Sequence, residues 1–365
     1  MVDPVYVPFL PVRRDAWRAY GGLDADVRRL IAPLWTVVPR IGPERLRGDR
    51  RVADPDDDPT ALDRWLAGRV DAFLKETPWA VGWVDAVHVE RLVEASAIGL
   101  ARLATEGGLC LVTGPERNPI LQRYTADLAF STGRGLGIRI LLDEPWAMDE
   151  EARSTGLLDL VGRVCLPPSQ LDLLLDLGPV MDAADASKTA LAALDLLGGL
   201  LPWRRVVLAA GGFPRQLGPI AGNLPIVIPR HDRKIAHLVH ASRPDFPGHL
   251  LYGDYSTEHA LSANIPSADR FGPAWGLLRY TAPETFLVAP VPTRGPYRAD
   301  RVRAGARQVA QAEAFRSGAS DGERWLDACA YGDGSNGTGN AETWIRVGHS
   351  QHLSFVAAQL TGYGA

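Results

Sequence analysis

Several things are scarce in this chain of 365 residues, and each scarcity removes a class of protein. Cysteine is one. Cys110, Cys165 and Cys329 stand far apart with no C-x-x-C spacing, so neither a zinc site nor a disulfide framework is indicated, and a reducing compartment fits. Long apolar runs are another: none reaches the ~18 residues that span a bilayer, and the opening MVDPVYVPFLPVRR lacks a basic stretch followed by an apolar one. The expectation is a soluble, cytoplasmic protein with no membrane partner. Charge of one sign is also scarce, because a net charge of -4 supplies no global field for nucleic acid. Signature motifs are missing too. No G-x-G-x-x-G follows an early strand, and there is no Walker loop, G-x-S-x-G elbow or H-E-x-x-H, so Rossmann, P-loop, serine-hydrolase and zincin readings lack support.

What is present is strand after strand. Leu171 to Pro179 reads LDLLLDLGP, and because side chains alternate, Leu171, Leu173, Leu175 and Leu177 share one face while Asp172, Leu174 and Asp176 share the other. An all-leucine face suits a strand covered by helices. Seven further strands are expected at Val5–Val12, Ala32–Pro39, Trp79–Ala86, Leu109–Thr113, Ile138–Asp143, Arg205–Ala210 and Leu250–Tyr255, with helical patterns between most of them. Eight alternating units in about 260 residues match the size of a (β/α)8 barrel of the TIM type. Leu277 to Val291 reads as an added hairpin, followed by helical stretches over Ala299–Ala330 and Glu342–Leu360. The expected division is a barrel over 1–290 and a helical extension over 291–365, packed under the barrel or over its mouth. The acidic, proline-broken stretch ending DPDDDP at 54–59 reads as a solvated loop.

Tyr6-Val7-Pro8, the strand ending in Asp85, LDLLLDLG, the turn Gly211-Gly212-Phe213-Pro214, GDY at 253–255, RYT at 279–281 and the closing GNAETWIRVGHSQHLSFV at 339–356 together resemble the beta protein family of phages and bacteria. The resemblance runs in order along nearly the whole chain. Members commonly carry two adjacent histidines in the closing motif, where this chain has Gln351-His352. The resemblance implies a phage-related setting, such as phage conflict or bacterial defence, and little chemistry.

Barrel active sites gather at the carboxyl ends of the strands, where the loops converge. Reading those ends gives Arg13 and Arg14, Arg40, Asp85, Thr113, Asp143 and Glu144, Asp176, Gly211 and Gly212, and Asp254, with Arg279 and Tyr280 just beyond. Carboxylates there could hold Mg2+ or act as a general acid and base whose pKa values proximity drives apart. Arginines beside them could clamp a carboxylate or phosphate. Asp85, Asp176, Asp254 and His352 are the catalytic candidates. Arg13, Arg14, Arg279, Tyr280, Gly211 and Gly212 are the substrate-binding ones. Structural alternatives stand beside each: helix capping for Asp85 and Asp254, a turn for the glycines, a packing hydrogen bond for His352, and an internal Arg139–Asp172 pair. Two functions follow. One is a hydrolase or lyase acting on an anionic or phosphorylated small molecule. The other is a binding protein that recognises a protein or nucleic acid without turnover.

Overall fold

The computed structural model describes residues 3–40, 59–78, 81–142, 150–217, 225–244, 250–264, 275–332 and 337–362. The DPDDDP run up to residue 58, Asp143, Glu144 and His249 lie outside them. Eight parallel strands close into a barrel: β1 (Tyr6–Pro11), β2 (Leu34–Thr36), β3 (Trp83–Asp85), β4 (Cys110–Thr113), β5 (Leu136–Leu141), β6 (Leu171–Pro179), β7 (Arg205–Gly211) and, after a strand β8 that belongs elsewhere (Ile226–Pro229), β9 (Leu250–Asp254). The expected (β/α)8 barrel is therefore the fold. Helices α1 (Arg14–Gly21), α2 (Ala25–Arg28), α3 (Pro59–Glu76), α4 (Val93–Thr105), α5 (Pro119–Thr132), α6 (Glu150–Val164), α7 (Ala183–Ala193) and α8 (His231–Ser242) occupy the crossovers.

The alternation read in β6 is what the barrel uses. Leu171, Leu173 and Leu175 are fully buried in the layer between strands and helices, together with Leu136, Ile138 and Val206. Leu174 instead joins Val7, Phe9, Leu34, Trp83, Val112 and Val207 inside the barrel. Gly137 makes room for that filling, since a Cβ there would sit 2.9 Å from the Trp83 ring.

Beyond the barrel, β10 (Trp275–Thr281) and β11 (Thr285–Pro292) form the expected hairpin, Trp275 opposite Pro292 and Thr281 opposite Phe286. β8 adds a third antiparallel strand to β11, which the apolar patterning does not reveal. A second apolar core joins Leu278, Tyr280, Ala289 and Val291 of this sheet to α9 (Arg298–Ala310), α10 (Asp321–Tyr331) and α11 (Ala341–Thr361). The helical stretch expected over Ala299–Ala330 divides into two helices, α10 opening at the Ser320 cap. Among the described residues no helix is long and apolar enough to cross a membrane.

Candidate functional site

Three strand-end aspartates share one local device. An Asp carboxylate at a turn readily accepts the N–H two residues on. Asp85 takes Val87 N at 3.0 Å, Asp176 takes Gly178 N at 2.8 Å and Asp254 takes Ser256 N at 2.9 Å, each through Oδ1. The remaining oxygen, Oδ2, follows the parity of its strand.

Asp85 and Asp176 point into the barrel mouth. Arg139 of β5 donates to both, through Nη1 to Asp85 Oδ2 at 2.6 Å and through Nε and Nη2 to Asp176 Oδ2 at 3.0 and 2.5 Å. Tyr255 donates its hydroxyl to Asp176 Oδ2 at 2.6 Å and accepts from Arg139 Nη2 at 3.1 Å. Arg117, on the loop after β4, links Asp85 Oδ2 at 3.0 Å to Glu90 Oε1 at 2.7 Å. The Arg139 guanidinium also lies over the Phe9 ring, 5.3 Å from its centroid. Buried charges persist only when partnered, and these are. The internal pairing expected between Arg139 and Asp172 is replaced. Asp172 bonds Trp83 Nε1 at 2.8 Å and Arg204 at the opposite end, while Arg139 stands opposite Leu174 and reaches toward the mouth.

Electrostatics separates the two acids on Arg117. Burial would push Asp85 up, but Arg117 and Arg139 outweigh it and hold that carboxyl well below the usual range. Burial pushes Glu90 above its ordinary value, Arg117 offsets only part of that, and the charge of Asp85 adds to it. Burial and Asp176 push the Tyr255 phenol far up, so it stays a neutral donor.

Over this network opens a cavity of about 770 Å³. Its polar floor is Arg117, Arg139, Asp176 and Tyr255, and its apolar wall includes Phe9, Ile140 and Leu261. That volume lies within the range of small-molecule sites, ~300–1,000 Å³.

Asp254 goes the other way. Gly253 turns inward against Ala209, so Asp254 faces out of the barrel into a wholly buried polar network. It receives Tyr6 OH at 2.5 Å, and its Oδ2 lies 2.9 Å from both Tyr252 OH and His352 Nε2. His352 Nδ1 meets Thr281 Oγ1 at 2.8 Å, and Arg230 binds Asp232 Oδ2 at 2.9 Å and Tyr252 OH at 2.9 Å. This network joins β1 and β9 to β10, α8 and α11. The three candidate aspartates therefore do not converge: Asp85 and Asp176 share the mouth, whereas Asp254 and His352 lie behind its wall.

The other candidates scatter. Arg14 makes an exposed 3.5 Å pair with Glu342. Tyr280 is buried in the second core, donating to Ala314 O at 3.1 Å. Gly211 packs against Ala260, and a Cβ on Gly212 would collide with the Asp232 carboxylate, so the turn is packed closely instead of opening as an anion cradle. Arg13 donates to Ser262 O at 2.8 Å, beside the cavity wall, and Arg279 stacks on Phe213 at 5.5 Å. Gln351, standing where the family commonly has histidine, bridges Thr281 N and O at 2.8 and 2.9 Å, a paired amide contact that ties α11 to β10. Sequence reasoning missed Glu90 and Arg117. Their only signal was position, each a few residues past a strand end.

The fold and this site define a (β/α)8-barrel protein with an ion-paired cleft at its carboxyl-end mouth. The chain belongs to the Beta protein family, whose model matches residues 6–358, from the start of β1 into α11. No curated protein matches it.

Proposed function

We propose that the chain is an enzyme that performs acid–base chemistry, of the hydrolase or lyase kind, on a small amphipathic molecule held in the barrel mouth. The observation that carries this reading is the cavity of about 770 Å³ over one arginine shared by two carboxyls with opposed tendencies. Groups whose environments drive their pKa values apart are how one site supplies both an acid and a base. Burial shifts Glu90 toward its protonated form and makes it the acid, the two arginines hold Asp85 ionised, and Asp85 and Asp176 together fix the two guanidinium groups. The apolar wall takes the body of the substrate. Its anionic end, carboxylate or phosphate, lies toward Arg117, whose guanidinium lines the cavity. A protein or nucleic-acid partner is the weaker reading, because a filled mouth would suit it better than an open one. A phage-related or defence setting remains part of the proposal and rests on the family alone.

Mg2+ does not fit this donor set. Both inward aspartate oxygens are already taken by guanidinium groups, and among the described residues no group of three or more His, Cys, Asp or Glu could hold a metal ion.

The test is thermal melting of the full chain against a panel of phosphorylated and carboxylated metabolites and nucleotides. A ligand that binds only the folded state raises Tm by mass action. The expected result is a shift that Arg117→Gln abolishes and that Glu90→Gln keeps while losing turnover. No shift with any compound, from a wild-type chain that melts cooperatively, would overturn the reading.

A further inference from the structure

A second polar cluster lies where β9, β10 and α11 meet, and the chemistry above uses none of it. Ser256, the second residue past β9, has φ 52°, the left-handed region that a non-glycine side chain rarely occupies. That conformation places its Oγ 2.8 Å from His349 Nδ1, and His349 Nε2 lies 3.5 Å from Glu258 Oε2. Ser256, His349 and Glu258 are all buried. Burial would raise Glu258, yet His349, with Arg13 and Arg279 farther off, outweighs it and holds the carboxyl at about 2. Hence Glu258 is an anion, and an anion facing Nε2 favours the tautomer with the proton there, leaving Nδ1 as the acceptor for Ser256.

Glu258 Oε2 and His349 Nε2 face each other at 3.5 Å, which leaves two buried polar atoms of this cluster without a hydrogen-bond partner, Thr257 Oγ1 and Arg279 Nε. Buried polar groups are almost always satisfied, so these two exceptions mark room for a further hydrogen-bonding group. Gly348 lets α11 close on the cluster, since a Cβ there would stand 3.0 Å from Thr257 Oγ1 and 3.4 Å from Arg279 Cβ. The same loop walls the mouth cavity through Tyr255 before the cluster and Ala260, Leu261 and Ser262 after it.

We propose that Ser256, His349 and Glu258 form a nucleophile, a base and a positioning carboxylate for transfer of the acyl group of an ester or thioester to water, with Arg279 facing the oxyanion. Ser256 Oγ bonds to the carbonyl carbon and its proton passes to His349 Nδ1. The negative charge on the carbonyl oxygen meets Arg279, whose Nε has no other acceptor. The bond to the alcohol or thiol then breaks, and that group leaves with the proton from His349. Water attacks the acyl-serine, gives a proton to His349 and releases the carboxylic acid, after which Ser256 regains its proton. The local elbow motif is absent, and here the strained serine and its base are brought together from positions 93 residues apart.

The experiment is fluorophosphonate labelling of the full chain, read by intact mass and peptide mapping, alongside hydrolysis of p-nitrophenyl butyrate. The expected result is one adduct on Ser256, formed at least tenfold more slowly in His349→Gln and in Glu258→Gln, with part of the rate restored in Glu258→Asp. Ser256→Gly guards against a folding artefact, because glycine accepts the positive φ: it should melt no lower than wild type and take no label. A folded wild type that takes no label at Ser256, or labelling indifferent to His349→Gln, overturns the proposal. Neither outcome depends on Glu90 or Arg117, so this centre and the mouth can fail separately.

Discussion

The mouth of the barrel and the outer wall of its last strand hold nearly the same set of groups: a strand-end aspartate capping an N–H two residues on, a buried arginine and a neutral tyrosine. They differ in what lies on the far side. Arg139 and Arg117 keep 10% and 12% of their side-chain surface exposed, against a cavity, while Arg230, Asp232 and His352 are sealed. The same chemistry thus borders an open cavity in one place, where the proposed site lies, and is sealed between packed elements in the other.

The sharpest way to test that contrast is to break each network in turn. Asp254→Ala leaves Arg230 and His352 facing an enclosed void, and removing one partner of a buried pair costs about 3–5 kcal/mol. Against a total stability of ~5–15 kcal/mol this is severe, and urea denaturation should show it as a large fall in midpoint. Arg139→Met exposes Asp85 and Asp176 to cavity water, so the expected loss is smaller, about 1–3 kcal/mol, but any ligand-induced Tm shift should vanish.

Acid sharpens the comparison further. Asp85, Asp254 and Glu258 are all depressed, so each contributes stability that is fully present above the unfolded carboxyl value, ~4, and is lost as pH falls through its folded value, about 2 for Glu258. Stability measured from pH 5 to pH 2 should fall steeply, and Asp254→Asn and Glu258→Gln should each flatten that slope. An unchanged slope in both variants would contradict the assignment. Arg14→Ala, which loses only an exposed pair with Glu342, should change stability by no more than about 0.5 kcal/mol.

How far sequence foretold this depended on how clearly each strand alternated. In β6 leucine and aspartate took opposite faces, so the inward position of Asp176 follows from the alternation alone. LLYGDY carries apolar residues on both faces, and only Gly253 hinted that Asp254 pointed outward. Strand β8, four residues of apolar sequence, is too short to have a period. The pairing of Ser256 with His349, and of Asp254 with His352, rests on closure of the barrel against a helix some 100 positions later, and no local rule contains that. Even so, the closing motif GHSQH did mark its importance: both histidines, three apart, lie on the helix face turned toward the barrel.

The contact between Tyr6 and His352 spans 346 positions, which fixes a timetable for the newborn chain. At ribosomal rates of ~5–20 residues per second, about 20–70 s separate the emergence of the first strand from that of its histidine partner. For the first 248 positions of that interval, until Asp254 emerges, β1 presents an unpaired edge where β9 will dock, together with a phenol awaiting its acceptor. Open parallel edges invite association with other chains. The cylinder thus closes only when β9 arrives, and its outer wall is finished later still, when α11 brings His352 to Tyr6 and Asp254.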